Sequence, residues 1–168
     1  LLKDKMGAQV FAPGITIVDD PFIKRGTRSH PFDGEGVAPQ KRNIIEDGKL
    51  TGWLLDLSSA RLLGLKTTGN ASRGASSPPS PRPANFYMQP GKMSVDELIA
   101  DIEEGFFVTQ MMGSGGNIVT GDYSRGARGF WIENGALAYP VSELTVAGNL
   151  KEMFRRLTPA NDLEFKFG

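Results

Sequence analysis

Two short turn signals restrict the fold of this 168-residue chain more than any other feature. Asp47-Gly48 and Asn134-Gly135 each separate two apolar, strand-prone runs, and such dipeptides favour tight hairpin turns in which both turn residues have positive φ. The segments around them, Ile45–Leu50 and Ile132–Leu137, are identical at four of six positions. This repeat fits an internal duplication or shared turn chemistry. The chain is therefore predicted to contain two antiparallel hairpins.

The composition limits the class of function. A hydrophobic fraction of 39% fits one globular domain with a core. Nineteen basic residues balance nineteen acidic ones, so charge gives no general attraction to nucleic acid or an anionic membrane. With no cysteine and a single histidine, disulfides, cysteine nucleophiles and a two-histidine zinc site within the chain are excluded. No apolar run approaches the roughly 20 residues needed to span a bilayer.

Three segments have the spacing of helices. Ser94–Glu104 has a capping serine, a Glu97 that completes a capping box and an apolar stripe. Asn149–Leu157 begins at a capping asparagine, and Ser58–Leu65 is predicted to be a short helix capped by serine. Residues 67–85, rich in Ser, Pro and Gly, are predicted to form an exposed, mobile loop. Together these features predict an α+β fold: a largely antiparallel curved sheet or open barrel with two main helices.

The glycine-rich start of the stretch Gly113–Val141 suggests a phosphate-binding loop, but its spacing does not fit one. A dinucleotide fingerprint beginning at Gly113 needs a glycine where the chain has Ile118, and no Gly-Lys-Ser/Thr of a Walker A loop follows. The glycines instead permit a sharp entry into a strand. One face of this predicted strand carries Ile118, Thr120, Asp122 and Ser124.

Two groups of polar residues are candidates for chemistry. Ser124 has no histidine near it in the sequence, so a Ser-His-Asp triad would need the distant His30. Asp33 and Glu35, spaced i and i+2 among glycines, can share a cation. The alternative is a turn in which these carboxylates accept backbone N–H groups.

Several strings of the sequence together resemble one protein family. GDYSRGARGFWIENG (121–135), followed by YPVSELTVAGNL (139–150), is similar to the C-terminal region of the TldD/PmbA family. PFDGEG, IIEDGKL, WLLDLSSARLLGLKTTGNASRG and MQPGK precede them in the family's order. The pattern GDYSRG, followed by GFW and ENG, resembles the PmbA (TldE) subfamily more than the TldD subfamily. The resemblance implies that residues 1–168 are a C-terminal domain, and that an N-terminal domain of the family lies outside them.

The resemblance also implies a function. The family comprises cytoplasmic proteins that are known as modulators of DNA gyrase. One PmbA (TldE) subunit and one TldD subunit form a heterodimeric metallopeptidase, which acts on unfolded, extended or modified peptides. The metal-binding motif of the family belongs to the TldD subunit. No catalytic or metal-binding residue of the family is therefore assigned to this chain, and no cofactor is expected in it. The expected partners are a TldD-type subunit, which holds the metal, and a peptide. No membrane or nucleic-acid partner is expected, and a homodimer is left open.

Position and chemistry predict which residues face the peptide or the partner: Asn117, Thr120, Asp122, Tyr123, Asp33 and Glu35. Two alternatives remain at this stage. One is an independent hydrolase that uses Asp33 and Glu35, or Ser124. The other is a module that binds gyrase or DNA.

Overall fold

The structure is a computed structural model that describes residues 4–165, and the chain divides into two compact units. The first unit comprises residues 4–9, Pro13–Gln89 and 164–165. The second unit comprises Val10–Ala12 and Pro90–Leu163.

The first unit contains a four-stranded antiparallel sheet in the order β3-β2-β1-β6. Its strands are β1 (Ile17–Asp20), β2 (Arg42–Glu46), β3 (Lys49–Leu50) and β6 (Asn85–Met88). All four residues of β1 are buried, and this strand pairs with a neighbour on each side. The predicted hairpin at Asp47-Gly48 is confirmed: φ is 49° and 75°, and Ile45 pairs with Leu50.

Helix α1 (Leu57–Leu63) follows this hairpin. It begins earlier than predicted because Asp56, not a serine, is its N-cap: the Asp56 carboxylate accepts the Ser59 N–H. That backbone hydrogen bond lowers the pKa of Asp56. Gly64 ends the helix in the left-handed conformation with φ 67°.

The segment 67–85 has two different parts. Residues 73–78 are exposed, as predicted for this loop. Residues 69–71 and Ala84 are buried. Between them, two short strands, β4 (Ala71–Ser72) and β5 (Ser80–Pro81), pair as a ribbon. Its polar anchor is Asn70, whose side chain donates to Asp19 at 2.7 Å. A segment predicted to be loop throughout is thus held at both ends.

The second unit contains a three-stranded antiparallel sheet in the order β7-β8-β9. Its strands are β7 (Glu104–Met112), β8 (Asp122–Glu133) and β9 (Ala136–Asn149). The second predicted hairpin is confirmed, with φ 49° at Asn134 and 78° at Gly135. Ile132 pairs with Leu137, the equivalent of the pair in the first hairpin.

The two predicted main helices both lie in the second unit and are shorter than expected. Helix α2 is Val95–Ala100, with Ser94 as N-cap and the predicted capping box complete. Helix α3 is Leu150–Arg155, with the predicted cap Asn149. The extension of α2 to Glu104 is wrong, because Glu104 opens β7.

The predicted α+β class is confirmed: every pairing between the named strands is antiparallel, and helices accompany the sheets. Within residues 4–165 no sheet closes into a barrel, and the strands form separate sheets rather than one. In the same residues, no helix is long and apolar enough to cross a membrane.

Candidate functional site

The loop that joins β7 to β8 forms the candidate site of the second unit. It borders a cavity of about 400 Å³. The lining residues are Ser114, Gly115, Gly116, Asn117, Asp122, Tyr123 and Ser124. Three of the predicted peptide- or partner-facing residues therefore line one cavity.

The glycines of this loop allow a close backbone approach. The Ser124 N–H donates to the Gly115 carbonyl at 2.8 Å, and a Cβ at Gly115 would overlap the Ser124 carbonyl oxygen. Gly113 has φ 76°, a conformation that glycine adopts without strain. The glycines thus shape the entry to the strand, as the sequence predicts, but β8 itself begins later.

The strand predicted to start at Ile118 starts at Asp122 instead, because Asn117 builds a turn. The Asn117 side-chain oxygen accepts the N–H groups of Val119 at 2.9 Å and Thr120 at 3.2 Å. The Gly121 N–H donates to the Asn117 carbonyl at 2.8 Å. An asparagine that captures the following N–H groups competes with the sheet ladder. Ile118 is left 87% exposed in this turn rather than on a sheet face.

Asp122 is the centre of a hydrogen-bonded polar cluster. Thr120 donates its hydroxyl to one Asp122 oxygen at 2.7 Å, and Asn149 donates its amide to the other at 3.4 Å. The Asn149 amide oxygen in turn accepts the Lys151 N–H and caps α3. The Tyr123 hydroxyl donates to the Met111 sulfur at 3.2 Å, toward β7. The structure thus brings Thr120 and Asp122 together, with Asn117 shaping the turn beside them.

Asn149 is a member of this cluster that the sequence analysis identified only as a helix cap. It lies directly opposite Asp122 in the β8–β9 register. That register follows from the hairpin at Asn134-Gly135, but the bulges between the hairpin and Asp122 shift it. Counting outward from the turn therefore does not find this pair.

Asp33 and Glu35 lie in the first unit and accept backbone N–H groups, as in the turn alternative. Asp33 is 6% exposed. One of its oxygens accepts the N–H groups of Glu35 and Val37, each at 2.9 Å, and the other accepts that of Ala71. Glu35 accepts the Leu57 N–H at 2.8 Å, at the start of α1. Each carboxylate thus joins separate segments of the backbone.

The chemistry that this arrangement supports is recognition by hydrogen bonds. Across residues 4–165, no three His, Asp or Glu side chains are grouped so that they could hold a metal ion. His30, in the first unit, has its Nδ1 2.7 Å from the Arg28 carbonyl. The cluster of the second unit offers amide, hydroxyl and carboxylate groups at the open end of a sheet.

Comparison with known proteins points to one family. The family model described as the PmbA/TldA metallopeptidase C-terminal domain matches residues 1–168. The Metalloprotease PmbA of Escherichia coli O157:H7 is 46% identical over 164 residues, which are 97% of this chain and 34% of that protein. A Metalloprotease TldD homolog of Haemophilus influenzae is 35% identical over 164 residues, 96% of this chain and 34% of that protein.

Solved structures agree with this result. A putative modulator of a DNA gyrase from Thermotoga maritima superposes with a TM-score of 0.86 and 36% identity, over 96% of this chain and 37% of that one. TldE from Thermococcus kodakarensis gives a TM-score of 0.83 and 28% identity, over 94% of this chain and 36% of that one. The chain spans about a third of the length of the curated relatives it matches.

Proposed function

The chain belongs to the PmbA/TldD metallopeptidase family as a C-terminal domain, and on that premise we propose that it serves the non-catalytic, PmbA/TldE-type subunit of a two-subunit peptidase. In this proposal a TldD-type partner carries the metal and cleaves the peptide bond. The chain described here helps to hold an extended, unfolded or modified peptide for proteolysis or maturation, in the cytoplasm. The sequence identity is 46% to the PmbA relative and 35% to the TldD relative, which supports assignment of the chain to the PmbA/TldE type of subunit.

The observation that carries the proposal is the unpaired edge of β7. In the described part of the chain β7 pairs only with β8, and its nine residues, EGFFVTQMM, include neither proline nor lysine. Unpaired edges of this kind bind extended peptides by strand addition. Both edge strands contain a bulge, between Val108 and Gln110 in β7 and at Glu143 in β9. The difference between them is Pro140 of β9, which has no N–H to donate to an added strand.

The backbone geometry shows which groups of β7 are available to a peptide. The Phe107 carbonyl and the Thr109 N–H face Gly129 of β8. Val108 is the last residue of the regular ladder before the bulge, and backbone groups alternate in direction along that part of the strand, so the N–H and carbonyl of Val108 point toward the open edge. The Val108 side chain is 37% exposed. Val108 is therefore the residue at which strand addition is best tested.

The first experiment measures cleavage of an unfolded test peptide by this chain, by a TldD-type partner and by both together, with and without a chelator. We expect full cleavage only from the pair and none after chelation. Cleavage by this chain alone would contradict the proposal and favour an independent hydrolase. A DNA complex that dissociates with salt, with no effect on cleavage, would favour a gyrase or DNA module.

The second experiment replaces Val108. Val108→Pro removes one outward N–H, and we expect cleavage by the pair to fall roughly fivefold, the effect of losing about 1 kcal/mol of hydrogen bonding. Val108→Ala is the matched control, because it shortens the side chain and keeps the N–H. Equal cleavage by both variants, with unchanged circular dichroism, would contradict strand addition at β7.

A further inference from the structure

A cavity of about 410 Å³ in the first unit is surrounded by cationic side chains. Its lining runs along the segment before Asp33 and the β4–β5 ribbon. We call it the cationic cavity and define it by its three arginines, Arg28, Arg73 and Arg82. It lies apart in the sequence from the polar cluster around Asp122.

In the described part of the chain, the three arginines of the cationic cavity form no ion pair with a carboxylate. Arg73 and Arg82 are exposed, and in the described part of the chain they make no ion pair and no side-chain hydrogen bond. Arg28 reaches only the Pro83 carbonyl, at 3.4 Å. Among the described lining residues of this cavity the one carboxylate is that of Asp33, which is buried and accepts three backbone N–H groups. Three guanidinium groups therefore remain free to bind an anion.

A buried network fixes the backbone that carries two of these arginines. Asp19 accepts the Asn70 amide and the Ala84 N–H, each at 2.7 Å. The Arg82 N–H donates to the Asn70 carbonyl at 2.8 Å, and the Ala71 N–H, two residues before Arg73, donates to Asp33. The backbone beside each arginine is thus anchored, while the arginine side chains remain exposed.

An apolar cavity of about 350 Å³ adjoins the cationic cavity and shares Thr27, Arg28 and Pro83 with it. Its other lining residues include the apolar Ile23, Phe86 and Phe165, and one carboxylate residue, Glu164. Phe86 is 48% exposed and Phe165 is 54% exposed, although both are large apolar side chains. A ligand that spans the two cavities must carry an anionic group next to an apolar one.

We propose that the two cavities bind a peptide segment in which a carboxylate lies beside an apolar side chain. The carboxylate binds Arg73, Arg82 and Arg28, since guanidinium groups form charge-assisted and bidentate hydrogen bonds with carboxylates. The apolar side chain enters the cavity beside Phe86. A C-terminal carboxylate and an acidic side chain offer the same chemistry. This site requires neither a partner subunit nor a metal, so it does not depend on the proposed function.

The test measures binding of fluorescent six-residue peptides to the full chain by anisotropy. One probe ends in leucine with a free carboxylate, a second has an amidated end and an internal glutamate beside leucine, and a third is amidated and neutral. We expect the first or second probe, but not the third, to bind, and binding to weaken as salt increases. Binding of the first alone assigns the carboxylate to a peptide C-terminus, and binding of the second alone assigns it to an acidic side chain.

Variants locate the site. Arg73→Gln combined with Arg82→Gln is expected to weaken binding by about tenfold or more, because charge-assisted hydrogen bonds are lost. Arg61→Gln, which removes an exposed charge from α1 in the same unit, is the matched control and is expected to have little effect. Phe86→Ala is expected to weaken binding of the leucine probes and to leave salt dependence unchanged.

Three results would overturn this proposal: equal binding of the neutral probe, equal losses from Arg61→Gln and the double variant, or tight binding of a single-stranded DNA oligonucleotide with none of the acidic peptides. Circular dichroism of each variant checks that it is folded. The double variant alters only exposed side chains. The peptidase experiment has a different readout, so either proposal can fail while the other holds.

Discussion

The backbone contact at Gly115 makes this residue the most restrictive position of the candidate loop. Its carbonyl accepts the Ser124 N–H, and a Cβ there would overlap the Ser124 carbonyl oxygen. A backbone atom cannot move aside as a flexible side chain can. We therefore expect Gly115→Ala to lower the free energy of unfolding by about 1–3 kcal/mol, the usual effect of overpacking. Urea denaturation of the wild type and the variant measures this change.

The neighbouring glycine is the matched control. A Cβ at Gly116 would meet its nearest atom, Cδ2 of Tyr123, at 3.9 Å, which is ordinary van der Waals contact. We expect Gly116→Ala to change the free energy of unfolding little. Similar losses in both variants would show that the contact at Gly115 is not the cause.

Among single residues, the sequence predicts a turn correctly where both turn positions require positive φ. Asp47 and Asn134 both have φ 49°, and each precedes a glycine, as the dipeptides indicated. Asn117 was not readable in this way, because NIVTGDY also fits a strand. The choice of a turn depends on an asparagine side chain that accepts two local N–H groups.

At the scale of elements, β9 contains a strained bulge. Val141 pairs with Gly129 and Leu144 with Ala127, so Ser142 and Glu143 both lie opposite one residue of β8. Glu143 has φ 59°, a left-handed conformation that is unfavourable for residues other than glycine. We expect Glu143→Gly to raise the free energy of unfolding by about 0.5–1 kcal/mol, the strain relieved less the added freedom of the unfolded chain.

Ser142, which precedes Glu143, provides a control in which the expected change in the free energy of unfolding has the opposite sign. Ser142 is not among the residues with positive φ, so Ser142→Gly gains no relief and we expect a loss of about 0.5–1 kcal/mol. Thermal and urea unfolding of both variants measure the difference. A loss in Glu143→Gly would show that the Glu143 side chain contributes more than the strain costs.

The length of α2 shows why element boundaries were less predictable than element types. The capping box at Ser94 was readable because its two residues are three apart in the sequence. The end of the helix is set from far away: the N–H groups of Asn134 and Gly135 donate to the carbonyls of Glu103 and Ile102. The hairpin turn holds residues 102–103, and the pairing of Glu104 with Glu133 holds Glu104 in β7, so these residues lie outside the helix. Local periodicity cannot reveal contacts made over such a distance in the sequence.

At the scale of the whole molecule, the sequence predicted the α+β class but not the division into two units with separate sheets. Apolar alternation identifies strands without naming their partners, and β1 pairs with β6, nearly 70 residues later. The candidate site shows the same limit. Thr120 and Asp122 are close in sequence and were chosen together, whereas Asn149 joins them only through the β8–β9 pairing.

Four carboxylates spread over the chain have pKa values that folding shifts, and each contributes to the response of stability to acid. Hydrogen bonds from Ser94 lower the pKa of Glu97, and the Ser59 N–H lowers that of Asp56. For Asp20, burial acts to raise the pKa, but Lys41 at 2.8 Å and the Phe22 N–H outweigh it, so the pKa is lowered. Burial raises the pKa of Asp19 despite its hydrogen bonds.

The carboxylates with lowered pKa values and the one with a raised pKa change the stability in opposite directions as pH falls. A carboxylate with a lowered pKa stabilises the fold above its usual value, 3.8 for Asp and 4.5 for Glu, and that stability is lost as pH falls through the lowered pKa. Asp19 does the reverse, because its folded form binds a proton at higher pH than its unfolded form. Its effect is a gain in stability as pH falls from the raised pKa toward 3.8.

We expect the free energy of unfolding to fall on acidification from about pH 5 to pH 3, because protonation weakens the ion pair and hydrogen bonds of the three carboxylates with lowered pKa values. Urea denaturation across this range measures it. In Glu97→Gln the capping carboxylate no longer titrates, so this variant should be less stable than the wild type at pH 6 and should lose less on acidification. Glu46→Gln, at an exposed position with no side-chain hydrogen bond in the described part of the chain, is the control. A rise in wild-type stability between pH 5 and pH 3 would mean instead that the buried Asp19 outweighs the capping and ion-pair carboxylates, and Asp19→Asn should then abolish the rise.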